Sequence, residues 1–342
     1  MKFGPVPVDA AQGSILAHSL SVGDLRLRKG IALGSDHVAA LVAAGVDQVI
    51  AARLDANDVH ENEAARRLAA SLVPDPSAVG LRVTDPFTGR VNLVADGPGV
   101  VTLDVAALER FNRIHPMITI ATVPPYQQMG LGGMVATIKV ISFAVPEADV
   151  VAAESAAPDS VRLAKPVFAT AGLVVTEIPG GPDDSKGIRS IRGRIEALGM
   201  ELTDVRTVAH HPQDLAKAVK AVGGEIAMIL TGSATMDPDD VAPLSVRLAG
   251  GSVARFGMPV DPGNLLFLGQ IENRPVIGLP GCARSPALNG ADWVLSRVAC
   301  GIVVTDDDIS GMGVGGLLKE IPTRPQPRAG RPRRAAGTPP KF

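Results

Sequence analysis

Aromatic side chains are scarce in this 342-residue chain: one Trp, one Tyr and eight Phe, 3% of the residues. With 46% of residues apolar, the cores must be filled by Val, Ala, Leu and Ile, the filling of buried mixed or parallel sheets. Only two cysteines occur, Cys282 and Cys300, which excludes a disulfide framework, and no Cys/His spacing reads as a metal site. No positively charged start precedes an apolar core, and no apolar run approaches the ~18 residues of a membrane span. Neither sign of charge dominates: 33 Lys+Arg against 35 Asp+Glu leave −2, so no global field draws nucleic acid or an anionic membrane. A soluble cytoplasmic protein with reduced thiols is expected, and any anionic ligand must be caught locally.

The length suits about two or three domains. Residues 1–78 read as a small α/β unit. A short run at Leu25–Arg28 is followed by a helix from Ser35-Asp36 through Val38, Leu41 and Val42, ended by Gly45, and by a strand at Gln48–Ala52. Asp58 with Glu61 three residues on predicts a capped helix through Ala64, Leu68 and Leu72, stopped by Pro74 and Pro76. Residues 79–160 have a β-rich texture: FTGRVNLVA, MITIATV and MVATIKVISFAV are β-branched runs bounded by Gly and Pro, with one short helix at Val105–Asn112. Pro146–Ser160, small and acidic, reads as a connector.

From Val167 the rhythm is strand, loop, helix. GLVVTEI is a buried strand, and Ile188, Ile191, Ile195 and Leu198 trace a helix face ending at Gly199. A strand near Leu202–Thr207, a helix begun by Pro212, the strand EIAMILTG and a hairpin turning at Glu272–Arg274 follow. Alternating strands and helices predict a doubly wound α/β sheet over residues 161–318. The segment 319–342, with six basic and no acidic side chains from Pro322 on, is expected to be a disordered linker-like tail.

Three small-residue loops punctuate this region: Thr231–Asp240 (TGSATMDPDD), Pro259–Asn264 (PVDPGN) and Leu279–Ser285 (LPGCARS). Such loops gather at the carboxyl ends of strands in an open α/β sheet, where unpaired N–H groups at helix starts favour an anion. One composite pocket is expected. The His210-His211 pair has no partner at ligand spacing and reads as surface.

The five stretches Thr176-Glu177, Asp184-Ser185-Lys186, TGSATMDPDD, MPVDPGNLL and GLPGCARS resemble, in this order, the motifs of the molybdopterin-binding fold. That fold is shared by molybdopterin adenylyltransferase and molybdopterin molybdenumtransferase. The segment LRLRKG…VAALVAAGVDQVIAARL is similar to the piece that precedes the fold in the second of these. FTGRVNLVA, MVATIKVI, PVDPGN, PGCARSPALNGADWVL and LKEIPTRPQPR are similar to a bacterial subgroup in which such a region is joined to a cytidylyltransferase domain. A nucleotidyltransferase core would need a glycine-rich basic start of the LAAGxSxRxG kind, and no such stretch occurs. Two lysines of the molybdenumtransferase fall on Asp261 and Asn264, and its loop aspartate on Pro238, between Asp237 and Asp239.

The resemblance implies a molybdopterin or molybdenum-cofactor ligand with a terminal phosphate, a pterin ring and a dithiolene. Its implied binding residues are Thr176, Asp184, Ser185, Lys186, Thr231, Gly232, Ser233, Thr235, Pro262, Gly263, Asn264, Pro280, Gly281, Cys282, Arg284 and Ser285. Gly281 and Ser285 at a helix start, with Arg284 able to grip oxygens bidentately, suit the phosphate. Asp237 and Asp240 are the catalytic candidates; with Asp239 they can instead cap a helix, bind pterin nitrogens or hold Mg2+. Cys282 can touch the dithiolene or molybdenum. Two functions follow as expectations. One is a carrier presenting cofactor to a separate cytidylyltransferase or apo-molybdoenzyme. The other is a molybdenumtransferase inserting molybdate. A homo-oligomer is implied by the same resemblance.

Overall fold

The computed structural model describes residues 1–23, 25–181 and 183–318. The tail expected to be disordered lies, from residue 319 on, outside them. The chain is mixed α/β with several sheets. It divides into two compact units, Met1–Val167 and a second from Phe168 on.

The first unit holds two cores. In the smaller, Val6, Leu16, Leu27, Leu41 and Ala51 pack between the helix Ser35–Ala43 and an antiparallel sheet of Lys2–Pro7, Gln48–Arg53 and Ile15–Leu16. The larger core joins Leu68, Leu72, Leu93, Phe111, Ile138 and Val150. The helix Glu61–Leu72, grouped by sequence with the first segment, buries its Ala64/Leu68/Leu72 face in this second core. His60 caps it, its Nδ1 accepting Asn62 N–H at 3.3 Å, while Asp58 sits in the strand Asp58–His60 and accepts Asp55 N–H at 2.7 Å. The predicted connector is also structured. Glu147–Ala156 is a helix with Val150 and Ala153 wholly buried, held by Arg67 bonding Glu147 at 2.8 Å and Glu154 at 2.9 Å. Its alanines hide the apolar face from a periodicity reading. The run MVATIKVISFAV breaks into the strands Met134–Val140 and Ala144–Pro146.

The second unit is built on six strands: β1 (Thr170–Glu177), β2 (Glu201–Ala209), β3 (Ile226–Leu230), β4 (Ser252–Phe256), β5 (Phe267–Ile271) and β6 (Arg274–Leu279). Their order is β2-β1-β3-β6-β5-β4, the first four parallel and the last two antiparallel to their neighbours. The helices are α1 (Asp184–Glu196), α2 (Pro212–Ala221), α3 (Val241–Leu248), α4 (Gly290–Ala299) and α5 (Asp306–Gly311). Alternation along β1 divides the packing. Leu173 and Val175 meet Ile191 and Ile195 of α1 and Val294 of α4, whereas Val174 meets Leu215 and Val219 of α2 and Val246 of α3. Both faces are thus covered by helices, as the near-continuous apolar strands require.

Direction then decides where loops emerge. β1, β2, β3 and β6 all end at one edge. Phe256 at the end of β4 pairs with Phe267, and Phe267 with Gly278 near the end of β6. The turn 257–266 therefore opens on that same edge as well.

Candidate functional site

At the end of β1, Thr176 is wholly buried, and its Oγ1 joins three strand ends. Gly232 N–H, just past β3, donates to it at 3.0 Å; His210 Nδ1, just past β2, lies 2.8 Å away. Gly232 has to be glycine. A Cβ there would stand 2.6 Å from the Thr176 carbonyl oxygen. His210, expected at the surface, is instead half-buried and bonded into the strand ends. His211 is exposed.

One hollow adjoins this junction and a second borders the first. The first, about 390 Å3, is lined by Thr176, Glu177, Ile178, Gly180, Gly181, Asp183, Asp184, Ser185 and Gly232. The second, about 350 Å3, is lined by Asp183, Lys186, Gly281, Cys282, Arg284 and Ser285. Asp183 borders both and caps α1. Ser185 N–H (2.9 Å) and Ser185 Oγ (2.8 Å) hold its carboxyl below the usual carboxylate range, with help from the charges of Arg189 and Arg284. Lys186 projects, exposed, from the first turn of the same helix.

Arg284 links the hollows. Its Nη1 donates to Asp184 Oδ1 at 2.7 Å and its Nη2 to the Thr231 carbonyl at 3.0 Å, so the loops after β1, β3 and β6 share one guanidinium. Both charged side chains are largely buried, 14% and 16% exposed. Gly187 lets α1 approach; a Cβ there would lie 3.1 Å from Arg284 Nη1. Part of the grip expected on a ligand is thus already used within the protein.

The stretch Pro280–Ser285 differs from the predicted helix start. Gly281–Arg284 is a 3-10 turn, and α4 begins only at Gly290, capped by Asn289. Pro286 is the reason: it holds Ser285 extended (φ −91, ψ 144) and offers no N–H. What fixes this loop is Arg194 of α1, which sequence reasoning did not single out. It is 9% exposed and donates to the carbonyls of Ala283 (3.0 Å), Ser285 (2.8 Å) and Ala287 (3.0 Å) and to Asp292 (2.5 Å). A lone arginine on the polar side of a helix carries no signal of targets some ninety residues away.

In the TGSATMDPDD loop, Thr231 and Thr235 are buried and Ser233 exposed, with Thr231 Oγ1 donating to the Ser233 carbonyl at 2.6 Å. Its acidic residues are engaged locally. Asp240 caps α3, bonding Val241 N–H (2.7 Å) and Met236 N–H (2.9 Å); Asp237 accepts Asp239 N–H (2.8 Å), and Asp239 pairs with Arg247 at 2.5 Å. Among the described residues no group of three or more His, Cys, Asp or Glu is placed to hold a metal ion. The Mg2+ expectation thus meets carboxylates used as caps and turns.

The PVDPGN turn lies on the same edge but packs elsewhere. Pro262 and Gly263 are buried, the Pro262 carbonyl accepts Gly290 N–H at 2.9 Å, and a Cβ on Gly263 would meet Gly290 N at 2.6 Å. Asn264 is exposed. None of the three lines either hollow. A larger groove of about 670 Å3 runs between β2 and α2, among Arg206, Thr207, Asp214 and Lys217. It gathers none of the predicted site residues, so volume alone does not mark the site.

A family model described as a domain of unknown function (DUF8806) matches residues 5–53. No curated protein matches. Among solved structures, the chain is similar to a molybdopterin biosynthesis MoeA protein from Pyrococcus horikosii, at 13% identity over 88% of this chain and 75% of that one, with a TM-score of 0.31. It is also similar to a molybdenum cofactor biosynthesis protein from Pyrococcus furiosus, at 12% identity over 91% of this chain and 65% of that one, with a TM-score of 0.25. The chain thus spans less than two thirds of the second. Likenesses this distant assign no activity. No helix among the described residues is long and apolar enough to cross a membrane.

Proposed function

We propose that the second unit is a doubly wound, molybdopterin-binding domain, and that the protein binds molybdopterin or the finished molybdenum cofactor during molybdenum-cofactor biosynthesis. The observation that carries this reading is the Arg284 bridge. It ties three of the five motif stretches, Asp184-Ser185-Lys186, TGSATMDPDD and GLPGCARS, around two adjoining hollows.

The hollows suit opposite ends of such a ligand. In the first, the carboxylates of Glu177 and Asp183 and the Gly180-Gly181 backbone can accept from the amino and ring N–H groups of a pterin. In the second, the cations of Lys186 and Arg284 favour a terminal phosphate, and the Cys282 thiol sits beside them.

We favour a carrier that presents cofactor to a separate cytidylyltransferase or apo-molybdoenzyme, working in the cytoplasm as a homo-oligomer. Asp261 and Asn264, standing where the molybdenumtransferase has lysines, speak for binding over insertion of molybdate. In the insertion reading, Asp237 and Asp240 would be the catalytic groups.

Anaerobic titration with metal-free and molybdenum-loaded molybdopterin tests this, with Trp293 of α4, the sole tryptophan, as reporter. Preference for the loaded form supports the carrier. Preference for the empty form with molybdate then incorporated supports the transferase, and binding of neither removes the molybdopterin reading.

A further inference from the structure

We propose that His210 is a positioning residue of the first hollow: in its neutral, Nε2-protonated form it orients the Thr176 hydroxyl and, through it, the backbone of Gly232. The proposal rests on the reading of that hollow as a ligand site; the relay itself is a property of the protein alone.

A hydroxyl has one proton and two lone pairs. Thr176 Oγ1 spends a lone pair on Gly232 N–H at 3.0 Å. Its other bonded neighbour is His210 Nδ1, at 2.8 Å, and Thr176 is 0% exposed, out of reach of water. A buried O–H needs an acceptor. Nδ1 supplies it only when it carries no proton, which places the ring proton on Nε2. Gly232 and Thr176 both line the hollow, and Gly232 lies too close to β1 for any side chain. The direction of one O–H therefore sets how firmly the TGSATMDPDD loop starts against β1.

Protonation reverses this arrangement. Both ring nitrogens of an imidazolium donate, so Nδ1–H turns toward Oγ1 and the threonine proton loses its acceptor. Thr176 makes no other side-chain hydrogen bond among the described residues. Glu177 of β1 accepts His210 N–H through its carbonyl at 3.1 Å, Asp214 of α2 lies 3.8 Å from the neighbouring His211, and Arg206 of β2 is paired with Asp204 at 2.9 Å. The Gly232–Thr235 segment brings no titratable side chain. His210 thus sits where a proton on one ring reaches the wall of the hollow.

The test needs no ligand. In the full chain with 15N-labelled histidine, long-range NMR couplings should show the neutral ring of His210 as the Nε2–H tautomer. Exchange protection of the Gly232 amide, corrected for intrinsic rates, should be about three- to tenfold lower in His210→Ala than in wild type, the worth of one neutral hydrogen bond. His210→Asn, whose amide oxygen replaces Nδ1 as an acceptor, should keep the protection. Molybdopterin affinity should follow the same pattern across the variants. An Nδ1–H tautomer, or Gly232 protection indifferent to His210→Ala, overturns the proposal. Protection that behaves as expected without molybdopterin binding to any variant upholds His210 and removes the ligand reading instead.

Discussion

Arg284 Nη1 and Asp184 Oδ1, one hundred residues apart in sequence, stand 2.7 Å apart, and the same guanidinium holds the carbonyl of Thr231. A single side chain thus fixes the relative positions of three loops. It also changes the expected role of Arg284 from ligand grip alone to joint and grip together.

We expect Arg284→Ala to destabilise the second unit by about 1.5–3 kcal/mol, the scale of a hydrogen bond to a charged group. Because the partners touch, Arg284→Ala and Asp184→Asn should be non-additive by at least ~0.5 kcal/mol. Urea unfolding followed at Trp293 checks both numbers. Strict additivity would dissolve the pair.

Arg194→Met should release the loop after β6. Removing one partner of a buried ion pair costs about 3–5 kcal/mol, and here three carbonyls lose their donor too. The amides of residues 283–287 should then exchange faster than those of α1. Unchanged exchange in that loop would leave Arg194 with no part in holding it.

Gly232→Ala should cost about 1–3 kcal/mol, the usual range for overpacking, since its Cβ would press on the Thr176 carbonyl at 2.6 Å. Molybdopterin affinity should drop with it. A variant of wild-type stability would mean that the loop yields freely.

Asp240 separates capping from chemistry. Asp240→Ala should lower stability by about 1 kcal/mol through the lost cap, whereas Asp240→Asn, which keeps the acceptor, should stay near wild type. We expect Asp240→Asn to retain molybdopterin binding as well. Loss of binding in that variant, with the melting temperature unchanged, would assign the carboxylate to the ligand.

In the first unit, burial pushes the carboxyl of Glu61 above the usual range, against the opposing charges of Lys139, His60 and Lys29. A raised carboxyl favours the folded state while protonated; that contribution is full below the unfolded value and is lost as pH rises through the folded one. Glu61→Gln should therefore gain stability relative to wild type between about pH 4 and pH 7. Thermal melts at the two pH values check the sign, and a gain at pH 4 that shrinks by pH 7 would reverse it.

Local signals were legible wherever one residue decided the outcome. Pro212 starts α2, Gly199 follows α1 at φ +71, and the hairpin turns at Glu272-Asn273, within the Glu272–Arg274 read from sequence. Signals failed where two candidates competed or the partner lay far off. His60 took the cap expected of Asp58 because Asp58 was drawn into a strand pairing with Pro146. The helix Glu147–Ala156 is so evenly small that its buried stripe leaves little periodic trace.

The sequence by itself determined the apolar strands of the second unit's sheet centre, several helices and the order of the five motif stretches, because apolar periodicity and Gly or Pro punctuation act within a few residues. It also carried GLVVTEI as a buried strand, and residues 171–176 are indeed all buried. Only the tertiary structure decided which loops meet. Arg284, Arg194 and His210 find partners 34 to 100 residues away, and such pairings depend on strand order and direction. A polar side chain shows no periodicity of its own, so its role stays invisible until the sheet brings its acceptor within reach.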